Sequence, residues 1–98
     1  MTFDELKKSL SGTNPPGSLP PLLRALWFDA KGDWSASHNL AQEIETPDGS
    51  WVHAYLHRKE GDDSNASYWY RKAGRKLPAV SLEKEWEMIV SELLKSNS

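Results

Sequence analysis

The chain has 98 residues, a formal net charge of −2, a pI near 5.9 and no cysteine. That length suits one small all-helical or mixed domain with a single core, here read as one unit over 1–98. The charge argues against a nucleic-acid binder that works by phosphate neutralisation, and the missing thiols exclude a disulfide scaffold, a thiolate zinc site and a cysteine nucleophile.

In chain order, Thr2-Phe-Asp-Glu5 forms a capping-box pattern and predicts a short first helix over about Phe3 to Leu10. The amphipathic "MTFDELKKSL" holds no long apolar run, so neither a signal peptide nor a membrane span is expected, and a cytoplasmic setting is the default. "SGTNPPGSLPP" (11–21) reads as a turn and linker, because prolines remove backbone donors and fix φ. The second helix, "PLLRALWFDAK", opens on proline and stops at Gly32. Asp33 caps a third, "WSASHNLAQEIE", which Thr46-Pro47-Asp48-Gly49 ends as a turn. Ser50 caps a fourth, "WVHAYLHRKE", stopped by Gly61. Asp62 or Asp63 caps a fifth, "SNASYWYRKA", stopped by Gly74. Ser81 caps the last, where Leu82, Trp86, Ile89 and Leu93 make one apolar stripe. No segment alternates with period two. The expectation is therefore an all-α fold of about six helices, with the short loops making antiparallel hairpins between flanking N- and C-terminal helices.

Five tryptophans are many for this length, and the four between Trp27 and Trp69 mark the expected core. A weak internal repeat is also present. "AKGDWSASHNLA" and "KEGDDSNASYWY" both place Gly-Asp between helices and Ala-Ser in the helix that follows. Glycine can take the left-handed C-cap conformation, and the aspartate oxygen can accept orphan N–H groups of the next helix.

The second unit resembles a tetratricopeptide helix-turn-helix repeat through Ala54, Gly61-Asp62, Ala66, Tyr70, Ala73 and Pro78. The first unit does so through Ala25, Phe28, Gly32-Asp33 and Trp34. The resemblance implies helical hairpins and a protein-binding habit. His57 stands where that repeat has a large aromatic, and His53 where it has an aliphatic. The run from Gly32-Asp33-Trp34 through "HAYLHRKEGD" to "YWYRKAG" also resembles a family of small helical proteins of bacteria and fungi, a resemblance that implies no mechanism.

On a helical wheel His53, His57 and Glu60 lie at i, i+4 and i+7, within about 60° of one another. The repeat register points His53 and His57 at the fifth helix. His38, at the edge of the third helix's apolar stripe, can turn toward the same interior. Three readings stay open. His53 and His57, at i and i+4 on one helix face, can ligate a divalent metal, with Glu60 or His38 as the third ligand. One histidine can serve as a general base, with Glu60 or Asp62 orienting it, Arg71 holding an anionic substrate and Tyr68 and Trp69 as an aromatic wall. Or the histidines are structural, hydrogen-bonded to Asn65, Glu60, Tyr68 or Tyr70. A groove carrying Trp51, Tyr55, Arg58 and Lys59 is a further candidate surface, unless those aromatics pack inward against Leu26 and Trp27.

The reading taken is a small binding or interaction module with a His-rich polar seam of His38, His53, His57, Glu60, Asp62, Asn65, Tyr68 and Arg71. Its partner is an unidentified protein or small molecule, neither nucleic acid nor membrane. No cofactor is required, a divalent metal being the one considered. The alternative is a metal-dependent or His-based enzyme using His38, His53, His57 and Glu60.

Overall fold

The computed structural model describes residues 1–96, so residues 97 and 98 of the expected unit lie outside the described residues. Six helices follow one another: α1 (Phe3–Ser9), α2 (Pro21–Ala30), α3 (Trp34–Gln42), α4 (Pro47–Glu60), α5 (Asp63–Lys72) and α6 (Leu82–Ser96). Among the described residues there is no strand, and no helix is long and apolar enough to cross a membrane.

Local chemistry sets most of the boundaries. Thr2 and Glu5 close the capping box of α1, the Thr2 side chain accepting from Glu5 N and Glu5 accepting from Thr2 N. Pro20 and Pro21 open α2. The two Gly-Asp corners are built alike. Gly32 has φ 86° and Gly61 φ 90°, values that L side chains resist. The next amide reaches back in each, Asp33 N to the Phe28 carbonyl and Asp62 N to the His57 carbonyl, both 2.9 Å. Each aspartate then caps the following helix, Asp33 accepting from Ala36 N and Asp62 from Asn65 N. The chain thus folds back twice, packing α2 on α3 and α4 on α5. Ser81 accepts from Lys84 N to start α6.

The passage from α3 to α4 departs from the sequence expectation. α3 ends at Gln42, not near Glu45, and Thr46-Pro47-Asp48-Gly49 is the first turn of α4 rather than a separate turn. Pro47 at the first helical position loses no needed N–H, and the Thr46 hydroxyl accepts from Gly49 N at 3.0 Å. Ser50, expected to cap α4, is buried inside its first turn. Ending α3 early lets Ile44 lie directly on Gly49, where an added Cβ would stand 2.0 Å from the Ile44 carbonyl oxygen. Gly49→Ala is expected to lower stability by about 1–3 kcal/mol, since a backbone clash outweighs the helix-propensity gain of alanine. A urea midpoint equal to or above wild type would remove this account of the close approach.

α4 is the central element. Residues 49–57 are all buried, because α3, α5, α6 and α2 each cover part of its circumference. The core joins Leu23, Leu26 and Trp27 of α2, Val52 and Leu56 of α4, Tyr70 of α5 and Ile89 and Val90 of α6, with Leu6 of α1. Two of the tryptophans expected in it are only half-buried, Trp34 and Trp69, while Trp86 of α6 belongs to it. Trp86 Nε1 donates to the Leu26 carbonyl at 3.0 Å, and Phe3 packs edge-on against its ring.

The suggested groove on α4 does not form. Trp51 and Tyr55 are buried, but their polar atoms meet buried carboxylates as well as apolar neighbours. Tyr55 donates to Asp29 at 2.8 Å and Trp51 Nε1 to Glu85 at 3.2 Å. Arg58 and Lys59, expected on the groove, pair with the same two groups, Arg58 with Glu85 at 2.8 Å and Lys59 with Asp29 at 2.9 Å. Burial, followed by the Asp29 carboxylate, pushes the Tyr55 phenol far up, so it stays a donor.

Candidate functional site

Three helices bring the site together. α4 carries His53 and His57 one turn apart, and α3 brings His38 against them. The close approach at Gly49 lays the end of α3 on the start of α4, and Trp34 Nε1 donates to the Leu56 carbonyl at 2.9 Å, fixing its other end. His38 Nε2 and His53 Nε2 stand 2.9 Å apart, a hydrogen bond in which one ring donates and the other accepts. His57 Nδ1 lies 2.6 Å from Glu60 Oε2. One ligating atom from each of the three histidines can be chosen so that all lie within 4.8 Å of one another.

Tryptophans hold the ring planes. Trp34 stacks on His38 with centroids 4.7 Å apart and 12° between planes, and Trp69 of α5 stacks on His53 at 4.0 Å and 28°. His57 lies beside His53, 4.8 Å between centroids. His53 and His57 are 7% and 9% exposed, whereas His38 is half-buried and gives the cluster its outer edge. Burial first, then the neighbouring imidazoles His38 and His57, pulls the His53 pKa down to about 4. His38 is lowered too, by burial and then by His57, against an opposing pull from Glu60. Both rings are therefore neutral near pH 7, the form that offers a lone pair.

The expected seam divides. His38, His53, His57 and Glu60 do come together, and Asp62 stands close enough for its carboxylate to group with His57 and Glu60. Asp62 is also the α5 cap, and Asn65 serves it, its side-chain amide donating to Asp62 at 2.7 Å. Those bonds lower the Asp62 pKa, the Asn65 side chain first. Asn65, Tyr68 and Tyr70 bond none of the histidines. Tyr70 donates to Glu85 instead, and Tyr68 is exposed, edge-on to Trp69. Arg71 is exposed on the outer face of α5, so it does not line the cluster. Nor do the histidines face α5 alone, since His53 is shared between His38 of α3 and Trp69 of α5.

The sequence offers Trp69 as an aromatic wall beside Tyr68 but not as the ring stacked on His53, and it singles out neither the Trp34–His38 stack nor Ser50 as part of the site. Trp34 and His38 at i and i+4 carry a local signal for stacking, while the Trp69–His53 stack exists only through the α4–α5 packing. Beside His53, at the first turn of α4, opens a cleft of about 230 Å³, lined among others by Gln42, Thr46, Ser50, His53, Trp69 and Lys72.

Comparison with protein-family models, with curated proteins and with solved structures finds no match.

Proposed function

We propose that this chain is a small helical binding domain whose ligand is a divalent transition-metal ion held by His38, His53 and His57. The observation that carries this reading is the convergence of three imidazoles from two helices, with two Nε2 atoms already 2.9 Å apart. Tetrahedral metal–nitrogen bonds of about 2.0–2.1 Å need nitrogens about 3.3 Å apart. Small ring movements therefore reach a binding geometry. Neutral rings are the metal-binding form, and imidazole donors suit zinc, copper, nickel and iron.

Glu60 supports the same reading. A carboxylate accepting the Nδ1–H of His57 leaves the lone pair on Nε2, the arrangement that outer-shell carboxylates give to metal-bound histidines. Binding also moves one proton within the pair. Whichever of His38 and His53 donates through Nε2 must take its proton to Nδ1. The resemblance to tetratricopeptide hairpins favours a binding role, with the ion joining α3 of one hairpin to α4 of the other. Three protein ligands leave a fourth coordination position, the feature of catalytic rather than closed structural zinc sites. That feature favours metal-assisted hydrolysis as the second reading.

Calorimetric titration of chelator-treated protein with zinc is expected to show one site per chain. Zinc at a hundredfold excess over Kd is expected to stabilise the fold by about 2.7 kcal/mol. His38→Ala, at the half-buried edge, should abolish binding, and Glu60→Gln should weaken it by about 10–100-fold. The reading is lost if zinc, nickel and manganese all fail to bind, or if His38→Ala binds as wild type does.

A further inference from the structure

The cleft beside His53 touches the histidine cluster from its outer side. Its lining is unusual in one respect. Ser50 and His53 are both 7% exposed, yet the Ser50 hydroxyl and His53 Nδ1 have no hydrogen-bond partner among the described residues. The sealed side-chain polar atoms without partners are Arg24 Nε and Ser37 Oγ. Ser50 Oγ and His53 Nδ1 are not among these sealed atoms, and both residues line this cleft. By contrast, the two other buried polar clusters, around Asp29 and Glu85, are closed by protein partners.

We infer that this cleft binds a small carboxylate, which accepts hydrogen bonds from His53 Nδ1–H and the Ser50 hydroxyl and pairs with Lys72. The inference rests on the metal reading of the three histidines. An ion on His53 Nε2 obliges the ring to carry its proton at Nδ1, so the ring presents an N–H donor to the cleft. Withdrawal of charge by the metal strengthens that donor, and a charged acceptor makes the stronger bond. The two oxygens of a carboxylate match two neighbouring donors on one helix face, Ser50 and His53 being i and i+3.

Lys72 supplies the countercharge. Its ammonium lies 5.0 Å from the Trp69 ring centroid and 5.8 Å from that of Tyr68, which holds it near the rim. Glu45 also lines the cleft and is exposed. The two exposed charges offset one another, and the buried donors decide the preference. The volume, about 230 Å³, falls below the roughly 300–1,000 Å³ of pockets for drug-sized ligands, which limits the guest to a small acid. Trp69 offers such an acid an apolar wall.

The carboxylate then acts as the outer shell of His53, as Glu60 does for His57. Metal and carboxylate must favour each other's binding by the same factor. Zinc titrations of the whole chain, with and without saturating benzoate, test this. Benzoate is expected to tighten zinc binding by about tenfold. Benzoate binding, followed by calorimetry, is expected to tighten by the same factor when zinc is present. Ser50→Ala should erase most of the gain, each protein being compared with its own zinc affinity in the absence of benzoate. Equal zinc affinity in both buffers overturns the inference and leaves the metal site standing. A full gain that persists in Ser50→Ala also overturns it, since a carboxylate ligated directly to the ion ignores that hydroxyl. Absence of zinc binding in either buffer overturns both readings.

Discussion

Replacing Glu85 with alanine is expected to cost the fold about 3–5 kcal/mol, the range for breaking a buried ion pair from one side. Glu85 is 1% exposed, and its two oxygens serve three donors from two other helices. Oε2 accepts from Tyr70 OH at 2.6 Å and from Trp51 Nε1 at 3.2 Å, and Oε1 accepts from Arg58 at 2.8 Å. Alanine leaves a phenol and an indole N–H without their acceptor in the core, and the partly exposed guanidinium of Arg58 without its carboxylate. Arg58 keeps only its bond to the Val80 carbonyl. Burial, then the bond to Glu85, raises the Tyr70 pKa far above its usual value, so the phenol cannot adapt by ionising. A domain of this size holds about 5–15 kcal/mol in all, so this single change removes a large share. Urea unfolding should show a lower midpoint with an unchanged slope. Glu85→Gln keeps an acceptor and a similar shape, and its loss should be smaller. A midpoint for Glu85→Ala within error of wild type would contradict this description of the core.

Acid should destabilise the chelator-treated protein between pH 6.5 and 4. An unfolded histidine titrates near 6.5, whereas folded His53 is pulled down to about 4. Within that window the unfolded chain holds a proton that the folded chain refuses. Stability is therefore complete above pH 6.5, falls as pH drops, and levels for this group below 4. The His53 contribution is about 2–3 kcal/mol over the window, and His38, shifted in the same direction, adds to it. Melting temperatures across the window, compared with a His53→Gln variant, measure the effect. An identical pH slope in that variant would assign the acid sensitivity elsewhere. Zinc should steepen the loss in the same range, because protons and metal compete for the same nitrogens.

What could be read from the chain without its fold was what lies close together along it. The Gly32-Asp33 and Gly61-Asp62 corners, the Thr2–Glu5 box and the α6 stripe each depend on residues within one turn or one cap. His53, His57 and Glu60 share a face for the same reason, and the helical period alone brings them together. Thr46-Pro47-Asp48-Gly49 was open to two meanings. A turn and a helix start use the same residue types, and only the seating of Ile44 on Gly49 decides between them. Glu85 shows the opposite limit. It stands among Glu83, Lys84 and Glu87 as one more charge on a helix, while its partners are 15, 27 and 34 residues away. Tyr68 and Arg71 failed as site residues through rotation. Ala66 and Tyr70 turn α5 inward, which leaves those two outside.

The place of α6 bears on how the protein comes off the ribosome. Domains tend to fold as whole units while the chain is being made. A nascent chain that has emerged only through α5 presents Trp51, Arg58 and Tyr70 with no acceptor, and Leu26 lacks the Trp86 donor at its carbonyl. α1 meets α6 through Phe3 and Trp86, besides its bond to α2 from Trp27 Nε1 to Ser9 Oγ. α1 thus gains its contact with Trp86 only once α6 has been made. The histidine cluster is built from residues 38 to 60, yet the helix that carries two of its rings gains the carboxylate partner of Trp51 and Arg58 only when residue 85 has been made.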